Sequence, residues 1–311
     1  MSALAPALLA ASAKPAIRKA KRRFVIIARP QVRRRRAQLR ARPNLRRIGA
    51  HGKAAQNCYA RRMTFAPDYP LARVIPSPNH GERLRPISLL ILHYTGMPTA
   101  SSALDLLRSP QAEVSAHYFV EEDGGVLQLV PEARRAWHAG KSFWAGETDV
   151  NSASIGVEIA HPGHDDPRPY PLQQIAAVAA LARDICERRA IARERVLAHS
   201  DIAVTRKIDP GEFFPWEALA LEGVGHYVAP ARLGAEEGLT IGDAGAEVAA
   251  LQEALRAYGY DIAPTGRYDE ATANVVAAFQ RHFRPQRIDG RADASTRATL
   301  EGLLGGLRKG A

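Results

Sequence analysis

Cysteine is almost missing from this chain, acidic residues are missing from its first 62 positions, and no long apolar run occurs. The two cysteines, Cys58 and Cys186, are too few for a disulfide framework. Neither has a cysteine or histidine neighbour that would make a compact metal motif. No stretch approaches the roughly 18 consecutive apolar residues that a membrane span needs, so no span is expected. The missing acid skews the charge. Residues 1–62 carry 18 Lys or Arg without one Asp or Glu, while residues 63–311 hold 25 basic against 32 acidic residues, a net of −7 beneath an overall +11. The basic excess belongs to the leader, and the globular part is not expected to bind nucleic acid.

The leader, residues 1–62, admits four readings. "VRRRRAQLRARPNLRR" fits an arm for nucleic acid or an anionic surface. An Arg-rich, acid-free segment also fits a targeting sequence, or a disordered tail with no core to form. The abrupt change of composition at Met63 favours a fourth reading, in which translation starts there. A secretory signal fits poorly, because "ALAPALLAASA" is short, weakly apolar and preceded by no basic residue.

The rest divides in two. "ISLLILHYT" predicts a buried strand over 87–95, "SAHYFVEEDGGVLQLV" a hairpin turning at Asp123-Gly124-Gly125, and "SASIGVEIAH" another strand. "PLQQIAAVAALARDICERRA" predicts a helix with Ile175, Val178, Ala182 and Ile185 on one face and Pro171 ahead of its first turn. Strands interleaved with helices predict an α/β domain, a mixed β-sheet flanked by helices, over 63–222. A linker, 223–238, leads to a small three-helix domain over 239–305. There "TGRYDEATANVVAAFQ" and "IDGRADASTRATLEGL" both run Gly-Arg-x-Asp-x-x-Thr, which makes Asp269 and Asp293 helix N-caps. "EVAALQEALRAYGY" supplies the third helix through Val248, Leu251, Leu255 and Tyr258.

The chemistry-bearing residues are His93 at the end of one apolar strand, His199 after another, and Asp209 before Pro210-Gly211. Two imidazoles and a carboxylate are a normal zinc set with one position open for water, and zinc lowers the pKa of such a water to around 7. Glu158 alternates away from Ile155, Val157 and Ile159, so its carboxylate is available to move a proton. Lys207, two positions before Asp209 in sequence, could face a developing oxyanion. Each has a plain alternative: a structural strand-end histidine, a turn aspartate, a solvent-facing glutamate, a surface lysine. Spacing alone leaves both open, since His93 and His199 lie 106 positions apart.

The pieces "LLILHYTG", "SAHYFVEEDGGVLQLV", "AWHAGKS", "NSASIGVEIAH" and "VLAHSDIAVTRKIDPGEFFPW", in this order, resemble the type 2 N-acetylmuramoyl-L-alanine amidase family, whose members include peptidoglycan recognition proteins. The resemblance implies that His93, His199 and Asp209 hold Zn2+, that Glu158 and Lys207 are catalytic, and that "AHYF" and "WHAG" place His117, Trp137 and His138 along the substrate groove. The alternative for those three is a satisfied core histidine and a core tryptophan. It also implies that Phe213, Phe214 and Trp216 pin the 199–209 loop in the core. Residues 239–304 resemble the three-helix peptidoglycan-binding domain attached to wall hydrolases.

The expected function is therefore zinc-dependent hydrolysis of the amide between N-acetylmuramic acid and L-alanine in bacterial peptidoglycan or muropeptides. The alternative is a peptidoglycan-binding protein that does not cut. A complete ligand set favours the enzyme. The lack of a convincing signal favours the cytoplasm, and the wall-binding domain makes the periplasm the alternative.

Overall fold

The computed structural model describes residues 65–309. The leader, Cys58 and the alternative start at Met63 lie outside the described residues.

Eight strands and eight α-helices run through them. The strands are β1 (Arg73–Val74), β2 (His80–Glu82), β3 (Leu89–Tyr94), β4 (Tyr118–Val120), β5 (Val126–Gln128), β6 (Arg134–Ala136), β7 (Ser154–Ile159) and β8 (Val196–Ala198). The helices are α1 (Ala100–Leu107), α2 (Val150–Ala153), α3 (Leu172–Arg189), α4 (His199–Ile202), α5 (Trp216–Leu221), α6 (Ala246–Tyr258), α7 (Glu270–Phe283) and α8 (Ala294–Lys309). Six strands form one sheet in the order β1-β5-β4-β7-β3-β8, parallel except for the β4–β5 hairpin, and β2 pairs with β6 in a separate ribbon. This is the expected mixed sheet flanked by helices. No helix among the described residues is long and apolar enough to cross a membrane.

Both faces of the central strands are covered, as continuous apolar runs such as "LLIL" require. On one face Leu90, Leu92, Ile155 and Val157 pack against Ile175, Val178 and Ile185 of α3 and against Phe214 and Trp216. On the other face Leu89, Ile91 and Leu197 share one cluster with Leu251 and Leu255 of α6 and Phe279 and Phe283 of α7. The three-helix unit is thus part of the sheet's own core. Its docking centres on Trp144, which is buried and meets Tyr258 and Tyr260 edge-on. Gly259, at φ +139°, makes that approach possible, since a Cβ there would stand 2.5 Å from the Trp144 ring. The linker is itself packed, with Val224 and His226 buried.

The internal repeat is more complete than its Gly-Arg-x-Asp-x-x-Thr core. Asp269 and Asp293 cap α7 and α8 by accepting from Thr272 N and Thr296 N. Gln252 and Gln280 then play one role twice. Each accepts from the repeat glycine, Gly266 N or Gly290 N, and each donates to the next carbonyl, that of Arg267 or Arg291.

Candidate active site

His93 on β3 and Glu158 on β7 are register partners, so both side chains leave the same face of the sheet near the strands' C-terminal ends. β8 runs on the other side of β3 and delivers His199 as the first residue of α4. The chain then turns back. Lys207 N donates to Ala203 O and Ser200 N donates to Asp209 O, which returns Asp209 to its starting point.

Three donor atoms meet there. His93 Nδ1 lies 2.9 Å from His199 Nδ1 and 3.1 Å from Asp209 Oδ2, and His199 Nδ1 lies 3.0 Å from that same oxygen. Ligands about 2.0–2.1 Å from a tetrahedral ion stand roughly 3.3 Å apart, so the spacing fits a small cation. The outer hydrogen bonds make the case stronger. His199 Nε2 donates to Ala139 O, which leaves its Nδ1 with a lone pair. His93 Nε2 donates to His138 Nδ1, His138 Nε2 donates to Ser154 Oγ, and Ser154 Oγ donates to Val150 O. Each proton in that chain points away from the cluster, so three lone pairs converge. Only a cation or an added proton reconciles them. Burial lowers the His93 pKa to about 4, with His199 adding to the effect. Burial raises the Asp209 carboxyl, and only positive charge shared with His199 and His93, an added proton or a cation in its place, holds it well below its usual range.

The cluster opens into a cavity of about 460 Å³ lined by His138, Glu158, His199, Lys207, Asp209 and Trp137, among others. Glu158 Oε2 is shut off from solvent and has no hydrogen-bond partner among the described residues. Burial, with Asp209 adding and Lys207 opposing, raises the Glu158 carboxyl well above its ordinary value. Lys207 is exposed at the cavity wall.

Of the three groove residues expected from the sequence, Trp137 and His138 line this cavity. His138 also stands behind His93 as its hydrogen-bond acceptor. His117 does not line the cavity. It is fully buried, accepts from Gly156 N and donates to Arg134 O. The aromatic anchor is two residues rather than three: Phe214 and Trp216 are buried, whereas Phe213 is 47 % exposed and lies beside His164.

Sequence reasoning missed three contributors. Gly156 makes room for His138, because a Cβ there would stand 2.5 Å from the ring. Arg206 donates to Ala139 O and Lys141 O and so ties the "WHAG" turn to the loop that carries His199 and Asp209. On the rim, Tyr94 donates to His164 Nδ1, and His164 Nε2 donates to Glu212.

The sequence profile of the N-acetylmuramoyl-L-alanine amidase family matches residues 83–212, and that of a peptidoglycan binding domain matches residues 244–300. N-acetylmuramoyl-L-alanine amidase AmiD of Escherichia coli (strain K12) is 39% identical over 231 residues, 70% of this chain and 82% of that protein. The chain belongs to the N-acetylmuramoyl-L-alanine amidase family. The solved complex of E. coli AmiD with anhydro-N-acetylmuramic acid-L-Ala-D-gamma-Glu-L-Lys superposes with a TM-score of 0.61 at 37% identity, covering 75% of this chain and 93% of that one. AmpDh3 of Pseudomonas aeruginosa, solved with an anhydromuramic pentapeptide, gives 0.58 at 31% identity, covering 79% and 99%. Both superpositions cover more of the chain than the 130 residues of the amidase profile. This chain is therefore an enzyme of the amidase family that carries a peptidoglycan-binding domain.

Proposed function

We propose that the protein is a zinc-dependent amidase that hydrolyses the amide between N-acetylmuramic acid and L-alanine in peptidoglycan or its soluble fragments. The observation that carries the proposal is the convergence of His93, His199 and Asp209 within about 3 Å of one another, beside Glu158, whose Oε2 is shut off from solvent and unpartnered among the described residues. AmiD and AmpDh3 were solved with an anhydromuramyl peptide bound, which supports the same substrate class here.

His93, His199 and Asp209 would hold the zinc. The ion supplies acidity to a water and positive charge against the scissile carbonyl. Glu158 takes the proton from the attacking water. Its raised pKa lets the carboxyl keep that proton until it is passed to the leaving nitrogen. Lys207 donates from its exposed ammonium to the oxyanion as the carbonyl carbon becomes tetrahedral. Trp137 offers an apolar ring on the cavity wall against which a sugar or peptide can pack.

The test is mass analysis of products from intact sacculi and from soluble anhydro-muropeptides, together with zinc content and activity after chelation. Release of free stem peptide that depends on zinc is the expected result. Binding of muropeptide without cleavage by fully zinc-loaded protein would refute it.

A further inference from the structure

We propose that His282, on α7 of the helical unit, is a positioning residue for the metal-bearing loop 199–216, so that the peptidoglycan-binding unit is built into the active site as well as attached to it. The inference rests on the zinc-site reading above.

The loop supplies His199, Lys207 and Asp209, and α7 holds both of its ends. At the start, Asp201 lies two residues after His199 and is almost fully buried. Its Oδ2 accepts from Ala198 N at 2.8 Å and from His282 Nδ1 at 2.7 Å, and its Oδ1 accepts from Tyr260 Oη at 2.7 Å. At the end, Trp216 lies seven residues after Asp209, and its ring stacks on His282 with centroids 3.7 Å apart. Phe283 covers the imidazole at the same centroid distance, 3.7 Å. One imidazole therefore bonds the first turn of the loop and stacks on its last residue. The residue before it, Arg281, brings Nε within 3.6 Å of Glu212 in the same loop.

Apolar contacts alone would dock one unit on the other, and Trp144 with Tyr258 and Tyr260 already does so. The polar contact does something different. A buried carboxylate is costly unless its oxygens are satisfied. Two of the three donors to Asp201 come from the helical unit, and only Ala198 N is local. Without them the cheapest relief is for α4 to move Asp201 toward water, and His199 moves with it. Orientation of metal ligands by the residues behind them is typically worth 10–100-fold in metal affinity. Asp201 and His282 stand in that relation to His199 through one turn of helix.

The experiment uses the full chain with His282→Ala, His282→Asn (a donor without the stacking ring), His282→Phe (the ring without the donor) and Tyr260→Phe. Leu255→Ala is the control, because it weakens the same apolar core while leaving the hydrogen bonds to Asp201 in place. The readouts are the zinc dissociation constant by chelator competition, the cobalt absorption spectrum, hydrogen exchange of residues 199–216 in metal-free protein, and kcat and KM on a soluble anhydro-muropeptide. We expect His282→Ala to weaken zinc about 10–100-fold, to speed exchange across 199–216 and to lower kcat more than KM, with Asn recovering more than Phe. Tyr260→Phe should shift the same readouts in the same direction by a smaller factor, and it decides the matter if His282→Ala does not fold. Wild-type zinc affinity and exchange in the folded His282 and Tyr260 variants would overturn the inference. So would an equal effect of Leu255→Ala, which would reduce the clamp to general stability. A wild-type protein that binds no zinc would instead refute the functional reading, while the exchange data on metal-free protein would still test the clamp.

Discussion

His93 Nε2 and His138 Nδ1 are 3.0 Å apart, with their rings edge-on, and this contact decides which nitrogen His93 turns toward His199 and Asp209. Ser154 and the Val150 carbonyl fix the donor direction along the whole chain, so the neutral imidazole of His93 has one tautomer that satisfies every partner. Burial, with His93 and His117 adding to it, pushes the His138 pKa well down, which keeps that ring neutral and able to accept. Replacing His138 with Ala should weaken zinc about 10–100-fold, as loss of such an outer contact does elsewhere. Chelator competition measures it, and unchanged affinity would remove His138 from the metal site.

Gly156 is the space in which that histidine sits. Gly156→Ala places a methyl 2.5 Å from the His138 ring in a position where neither backbone can yield, since Gly156 N and O are both engaged by His117. Overpacking of this kind costs about 1–3 kcal/mol. Urea unfolding should register that loss, and zinc affinity should fall in the same protein because His138 is displaced. A variant with wild-type stability and affinity would mean that the ring has somewhere else to go.

Glu158 and Lys207 are not ligands, so Glu158→Gln and Lys207→Ala should keep their zinc. Turnover should fall by about 10²–10⁴-fold for the first and about 10²–10³-fold for the second. Lys207→Arg should rescue only in part, because a planar guanidinium does not replace a compact ammonium. Metal content and turnover are read on the same samples. Near-normal turnover in zinc-loaded Glu158→Gln would assign the proton to another group.

The cluster of His93, His199 and Asp209 and the sheet were legible because they are carried by local patterns: apolar strands that end in a histidine, a hairpin at Asp123-Gly124-Gly125, and a distinctive run from His199 to Trp216. What was not legible depends on which face a side chain takes where no periodicity sets it. "FFPW" offers three aromatic residues in an irregular segment, and only the folded chain shows that Phe214 and Trp216 turn inward while Phe213 turns out. His117 and His138 carry the same chemistry in sequence, yet one bonds the backbone of β7 and the other bonds His93. The repeat glutamines Gln252 and Gln280 escaped because they lie 14 and 10 residues from the glycines whose amides they satisfy. Asp201 and His282, 81 positions apart, had no pattern to connect them.

Glu132 gives the fold a defined response to acid. It is fully buried, accepts from Tyr118 Oη at 2.6 Å, and is paired with Arg188 and Arg189. Burial opposes its charge, but the bonds from Arg188, Tyr118 and Arg189 prevail and lower its pKa to about 2. The folded value is depressed, so the stabilisation is present above the ordinary glutamate range and is lost as pH falls through about 2. From the ordinary value of 4.5 down to about 2, that is on the order of 3 kcal/mol at 1.36 kcal/mol per pH unit. Glu132→Gln should be less stable by about that amount at neutral pH. The difference between the two unfolding profiles should shrink as pH falls from 4.5 toward 2. A constant difference across that window would place the titrating group elsewhere.

If the helical unit were a separate module, a chain ending near Glu222 would still cleave small muropeptides and lose only its hold on the wall. The core argues for a different outcome. Leu89, Ile91, Leu197 and Trp144 are buried in the cluster that α6 and α7 complete, and removing the helical unit turns that face of the sheet toward water. Exposed apolar area costs roughly 25 cal/mol per Å², and a contiguous bare patch promotes association. The same cut removes Tyr260 and His282 from Asp201 and leaves a buried carboxylate with one donor. The truncated chain should therefore show a lowered thermal midpoint, self-association in sedimentation, and impaired zinc binding. Glu222-terminated protein that stays monomeric, melts like the full chain and keeps its zinc would show that the helices only rest on a sheet that is complete without them.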